Sequence, residues 1–216
     1  MDLRFSKVVV TLLSSGRTLF KVPTLEIPFG AKVLIYGPSG QGKTTLLHLM
    51  AGLFLPTDGV VYLGDQKLSS SSDDERSRLR RSSYGIVFQK LNLLDHLTAL
   101  ENVLLGLSPG LGQKAQVARA EAALDQVNML RFSKERSSNL SLGEQQRVAI
   151  ARVLATSPSI ILADEPTSSL DEKNAQMIMD ALLKAAQGKT LVVVSHDLRI
   201  RAAFDRQINF TDFVPQ

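Results

Sequence analysis

The stretch "GPSGQGKT" at positions 37–44 constrains this chain more than any other feature. It matches G-x-x-x-x-G-K-[ST] and lies between a strand-like run, "KVLIYG" (32–37), and a helix-like run, the context that a phosphate-binding loop requires. Gly37, Gly40 and Gly42 allow the backbone to curl, so that successive N–H groups converge on phosphate oxygens. The expected ATP contacts are Gly37, Pro38, Ser39, Gly40, Gln41, Gly42, Lys43, Thr44 and Thr45. Lys43 brings positive charge to the β- and γ-phosphates, and the Thr44 hydroxyl is a Mg²⁺ ligand. A chance match in a chain this long is expected in roughly one sequence in a hundred, so an ordinary glycine turn is a poor alternative. His48, among leucines on the following helix, reads as a packed core histidine rather than a catalyst.

Phosphoryl chemistry needs a carboxylate for the metal and a group to handle water. "SIILADEP" (159–166) supplies both: a buried apolar strand with Asp164 and Glu165 emerging at its carboxyl end, where ligands gather in α/β sheets. Asp164 is expected to hold the metal, and Glu165 to orient or deprotonate water. Alone the Asp-Glu pair is weak; with the phosphate loop it is strong.

The 216 residues suit one α/β domain, residues 1–216, with a helical subdomain at about 90–155 inserted in its core. Residues 3–29 read as antiparallel β structure, with Val8, Val10 and Leu12 alternating. The final third alternates strands ("SIILAD", "TLVVVS") with helices (142–156, 172–187), the pattern of a mostly parallel sheet. "SPGLG" breaks the helical region. Ser72 with Glu75, and Thr98 with Glu101, have capping-box spacing. The arginines of "ERSRLRR" read as a solvated helix face. The chain has no cysteine, which excludes disulfides and thiolate metal sites and fits a reducing compartment. Its longest stretch free of Asp, Glu, Lys and Arg, Thr44 to Thr57, is too short for the roughly 18 apolar residues of a membrane span. "KVVVTLL" is too short an apolar core for a signal peptide, so export is not expected. A net charge of +4 gives little reason to expect a nucleic-acid partner.

"NLSLGEQQR" (139–147) raises a separate question. Ser141 and Glu144 again have capping-box spacing, so a second helix start, far from the phosphate loop, presents free N–H groups suited to an anion.

With "VFQ" (87–89), "SSLD" (168–171) and "SHD" (195–197) added in order, nearly the whole chain resembles the ATP-binding-cassette (ABC) ATPases. The resemblance implies an ATP- and Mg²⁺-dependent hydrolase. It gives Gln89 a role in sensing metal and γ-phosphate and linking them to the helical subdomain, His196 a contact to γ-phosphate, and Asp171 a place in communication across a dimer. It also implies a head-to-tail pair in which Ser141, Gly143 and Glu144 cap the ATP of the other copy. Two positions depart from the family's usual Leu-Ser-Gly-Gly-Gln: Leu142 replaces a glycine and Glu144 a glutamine. The aromatic residue that usually stacks on adenine is also missing; Leu12 or Leu13 is expected in its place, with Phe20 as a further candidate.

"FQKLNLLDHLTALENVLLGL" is similar to the macrolide-exporter and lipoprotein-release branch (MacB/LolD/FtsE-like). Members work on the cytoplasmic face of the inner membrane with a separate permease, here expected to dock near Leu91, Leu93 and Leu94. The alternatives are a soluble ABC ATPase acting on nucleic acid or ribosomes, and a regulatory ATP-binding module without turnover.

Overall fold

The computed structural model describes residues 1–12, 15–107, 110, 112–168 and 170–215. In chain order the elements are β1 (Leu3–Thr11), β2 (Thr18–Ile27), β3 (Lys32–Tyr36), α1 (Lys43–Met50), β4 (Asp58–Leu63) and β5 (Gln66–Lys67). Next come α2 (Asp73–Ser83), β6 (Tyr84–Val87), α3 (Ala99–Leu104), α4 (Gln113–Gln126) and α5 (Leu142–Ala155). The chain ends with β7 (Ile160–Asp164), α6 (Glu172–Ala185), β8 (Thr190–Ser195) and β9 (Arg206–Asn209).

The strands form two sheets. One is antiparallel, in the order β2-β1-β4-β5; the other is parallel, in the order β6-β7-β8-β3-β9. Strands β7 and β8 are buried along their whole length, which is why they read as near-continuous Ile/Leu/Val runs rather than alternating ones. Successive residues of the parallel sheet face opposite cores. Val33 and Ile35 pack with Phe5, Leu46 and Phe210, between the two sheets. Leu34 packs on the other side with Ile161, Val193 and the inner faces of α5 and α6. Helices α3, α4 and α5 pack on one another, and the end of α5 enters that second core.

Register decides where the chemistry falls. Tyr36 pairs with Ser195 and Asp164 with Val194, so β3, β7 and β8 end at one edge.

Several local expectations are met. Ser72 with Glu75 and Thr98 with Glu101 form reciprocal capping boxes that start α2 and α3. Others are corrected. Strand β1 stops at Thr11, leaving Leu12 41 % exposed rather than continuing the buried alternation of Val8 and Val10. The arginine-rich helix is not simply solvated: Arg76 is buried, pairs with Asp73 and Ser71, and lays its stem on Gly52. Of "SPGLG", Ser108, Pro109 and Leu111 lie outside the described residues. No helix among the described residues is long and apolar enough to cross a membrane.

Candidate active site

The phosphate loop spans the gap between the end of β3 and the start of α1. Gly42 caps α1 with φ 112°, a backbone that side-chain-bearing residues rarely adopt, and a Cβ there would press on Leu19 and Phe20 at 3.0 Å. Lys43 is buried, and its ammonium donates to the carbonyls of Gly37 (2.8 Å) and Pro38 (2.9 Å). It also lies 3.7 Å from Glu165 Oε1. A cleft of about 310 Å³ opens here, lined by Ser39, Gly40, Gly42, Lys43, Thr44 and Thr45, and across from them by Gln89, Glu165 and His196. Residues from four separate stretches of sequence thus meet at the carboxyl edge of the parallel sheet.

Glu165 follows β7 in the left-handed region (φ 47°), an uncommon place for a glutamate. Its own N–H is tied to Val194 O at 2.9 Å. The carboxylate accepts hydrogen bonds from the Ser195 hydroxyl (2.8 Å) and the His196 N–H (3.1 Å), and His196 Nδ1 lies at 2.9 Å. Ser195 is fully buried and also accepts the Asp197 N–H at 3.0 Å. Its role was missed from sequence; a serine ending an apolar strand just before "HD" was the signal available.

Asp164 is buried, and burial raises its carboxyl above the usual range, while a hydrogen bond from Thr44 opposes the shift. Its Oδ1 has no hydrogen-bond partner. A buried carboxylate with an unpartnered oxygen, behind a Thr44 hydroxyl that lines the cleft together with Gln89, is a hard-oxygen set of the kind that suits Mg²⁺. His48 lies nearby between Phe54 and Phe88 (centroids 5.5 and 6.0 Å), and burial lowers its pKa.

Of the residues expected to meet adenine, Leu12 and Phe20 do not line the Lys43 cleft. Phe20 is fully buried under Gly42, edge-on to Phe210 at 5.3 Å, and is not available to a base. Leu13 lies outside the described residues, and Leu19 is the apolar side chain that does line the cleft.

Ser141 opens α5 as expected, and both its N–H (2.9 Å) and its hydroxyl (2.7 Å) donate to the Glu144 carboxylate. Those bonds hold Glu144 below the usual carboxylate range. Ser141, Gly143 and Glu144 do not line the Lys43 cleft. Leu142, 52 % exposed, instead lines a second cleft of about 340 Å³ with Leu91, Gln146 and Leu170, and this cleft shares Gln89 and Glu165 with the first. Asp171 caps α6, accepting the N–H of Asn174 at 2.9 Å. Of the leucines expected to dock a partner, Leu93 packs on the core and Leu94 is 43 % exposed. Leu53, Phe54 and Leu55, after α1, are exposed apolar residues that sequence reading did not single out.

A lysine gripped by a glycine-rich loop, a buried aspartate and an adjacent oriented glutamate, at the carboxyl edge of a parallel sheet, define a P-loop nucleotide hydrolase. The family model described as "ABC transporter" matches residues 20–168. The lipoprotein-releasing system ATP-binding protein LolD of Hydrogenovibrio crunogenus is 46% identical over 193 residues, covering 87% of this chain and 83% of the relative. The ABC transporter ATP-binding protein MJ0796 of Methanocaldococcus jannaschii is 45% identical over 195 residues, with the same coverage of each. Two solved dimeric structures of MJ0796, one a post-hydrolysis state bound to ADP and Pi, match with a TM-score of 0.89 at 39% and 40% identity, covering 96% of this chain and 94% of each. The chain belongs to the ABC transporter family of ATP-binding proteins, and it is an ATPase.

Proposed function

We propose that two copies assemble head to tail around ATP, so that the α5 start of each caps the γ-phosphate held by the other. ATP binding and hydrolysis in that dimer drive a separate permease at the cytoplasmic face of the inner membrane, in LolD- or MacB-like export or mechanotransmission. One observation supports the dimer reading: Ser141 opens α5 and does not line the cleft that holds Lys43, so in this reading each chain supplies halves of two sites. The likeness to MJ0796, whose solved structures are dimeric, supports it. The LolD relative, from a lipoprotein-releasing system, supports the branch.

In this reading the loop N–H groups from Ser39 to Thr45 bind the phosphates, and Lys43 exchanges its Gly37 and Pro38 carbonyls for phosphate oxygens. Glu165 takes a proton from the attacking water. The water oxygen bonds to the γ-phosphorus, the bond to the bridging β–γ oxygen breaks, and ADP leaves with that electron pair. Ser195 and the His196 N–H aim the Glu165 carboxylate, and the half-exposed His196 ring, now 2.9 Å from Glu165 Oε1 through Nδ1, turns toward the γ-phosphate. Thr44, Asp164 and Gln89 would hold Mg²⁺, which when bound supplies charge neutralisation on the phosphates. Asp171 communicates between the copies. The permease docks near Leu91 and the exposed Leu94, while Leu93 packs on the core, and the exposed Phe54 is a further candidate.

Complementation tests the trans arrangement. Lys43→Ala cannot hold its own phosphates, and Ser141→Arg cannot cap its neighbour's. Mixing the two variants restores one complete site per mixed dimer, so ATP-dependent cross-linking should exceed that of either variant alone. If the unmodified protein dimerises with ATP and the mixture never exceeds its components, the trans assignment is wrong.

A further inference from the structure

Between Gln89 and Thr98 the backbone forms no helix or strand apart from one bridging residue at its end. Two consecutive carbonyls in this stretch converge on a single guanidinium: Arg152 donates from Nη2 to Leu91 O and from Nη1 to Asn92 O, each at 2.7 Å. Consecutive carbonyls of an extended chain point in opposite directions. Here Asn92 adopts φ 50°, the left-handed region that asparagine tolerates, and the alternation is broken. Arg152 occupies the last turn of α5, and its stem lies so close to Gly106 that a Cβ there would meet Cγ at 2.9 Å. Among the described residues it forms no ion pair with a carboxylate. Its charge is met by those two carbonyl dipoles, an arrangement that the planar fork of arginine satisfies and a lysine would only half satisfy.

The other end of α5 carries Ser141. At about 1.5 Å per residue the two lie roughly 16 Å apart along one helix. The helix is continuous between them, with Gln146, Val148, Ala149, Ile150 and Ala151 buried along it. We infer that Arg152 is a positioning residue that ties the Gln89 loop of a chain's own ATP site to the helix capping ATP in the partner copy, so that occupancy of one site sets the placement of the other's cap. The inference rests on the trans arrangement proposed above.

The test uses the protein carrying Glu165→Gln, expected to retain ATP with slowed turnover, and compares ATP-dependent dimerisation with monomer binding of a fluorescent ADP analogue. Arg152→Met should weaken dimerisation by about two- to thirty-fold, the usual reach of a coupling contact, with ADP affinity and thermal midpoint unchanged. Arg152→Lys, keeping one donor, should fall between. Asn92→Val leaves the arginine intact but disfavours the left-handed backbone, and should reproduce the loss; Asn92→Gly should be silent. Undiminished dimerisation in Arg152→Met overturns the inference. So does a parallel loss of ADP affinity and melting temperature with Asn92→Val silent, which would make Arg152 a local scaffold only. The Lys43→Ala and Ser141→Arg mixture leaves Arg152 untouched. Its failure removes the trans reading itself, whereas its success beside an unaffected Arg152→Met sinks this inference alone.

Discussion

Glu165 joins an unusual backbone to a carboxylate approached from three directions, by Lys43, Ser195 and His196. In the proposed role of base, charge and aim would matter together. Glu165→Gln keeps the shape and the oxygen that accepts from Ser195 but removes the negative charge. Turnover should fall by ~10²–10⁴-fold, the usual range for a general base, with ATP still bound. Phosphate release within a few-fold of the unmodified protein, at unchanged nucleotide affinity, would sink the assignment. The Asp-Glu pair was legible because an apolar run followed by acids has few other uses beside a phosphate loop. Ser195 was not, because its hydrogen bond crosses from β8 to the end of β7 and depends on their register.

At the scale of elements, the loop after Gln89 separates two leucines that look alike in sequence. Leu93 packs against the core, whereas Leu94 is substantially exposed and has its N–H held by Asn102 at 2.8 Å. Leu94→Asp should therefore leave the denaturant midpoint and basal ATPase unchanged and, if the proposed permease docks there, abolish copurification with it. Leu93→Asp presses a carboxylate onto apolar surroundings and should cost about 1–3 kcal/mol of stability. Equal destabilisation by both variants would remove Leu94 from the docking surface. Helix starts were the most readable elements, because a capping serine or threonine and its glutamate three residues on satisfy each other locally. Phe20 went the other way: its burial under Gly42 and against Phe210 comes from packing between residues nearly two hundred positions apart.

For the molecule as a whole, capping carboxylates set the response to acid. Glu75, Glu101 and Glu144 are held below the usual range by hydrogen bonds from Ser72, Thr98 and Ser141, and Asp171 by those from Asn174. Asp197 is lowered to about 2, chiefly by the Arg199 guanidinium. For each, the unfolded chain binds protons more readily than the folded one. The stabilisation is therefore complete above the unfolded pKa values of about 3.9–4.3 and is lost as pH falls through the folded values. His48, lowered by burial, works in the same direction at higher pH, and Asp164, raised by burial, works against it. The melting temperature should fall steadily from pH 6 to pH 3, and Asp197→Asn should lower the plateau and shrink the fall. A melting temperature that is flat to pH 3 would contradict this balance.

What the sequence alone determined was chemistry held within short segments: the phosphate loop, the Asp-Glu pair, the capping boxes and the alternation of strand and helix. These are legible because spacing along the chain is itself the geometry, through backbone curl, strand period or one helical turn. The tertiary structure decided which segments meet. The register of β3, β7 and β8 brings Lys43, Glu165 and His196 to one edge, Leu19 rather than Phe20 lines the Lys43 cleft, and Arg152 reaches back across sixty residues to Leu91 and Asn92. Contacts of that kind depend on how whole elements stack, and no local pattern of residues encodes the stacking by itself.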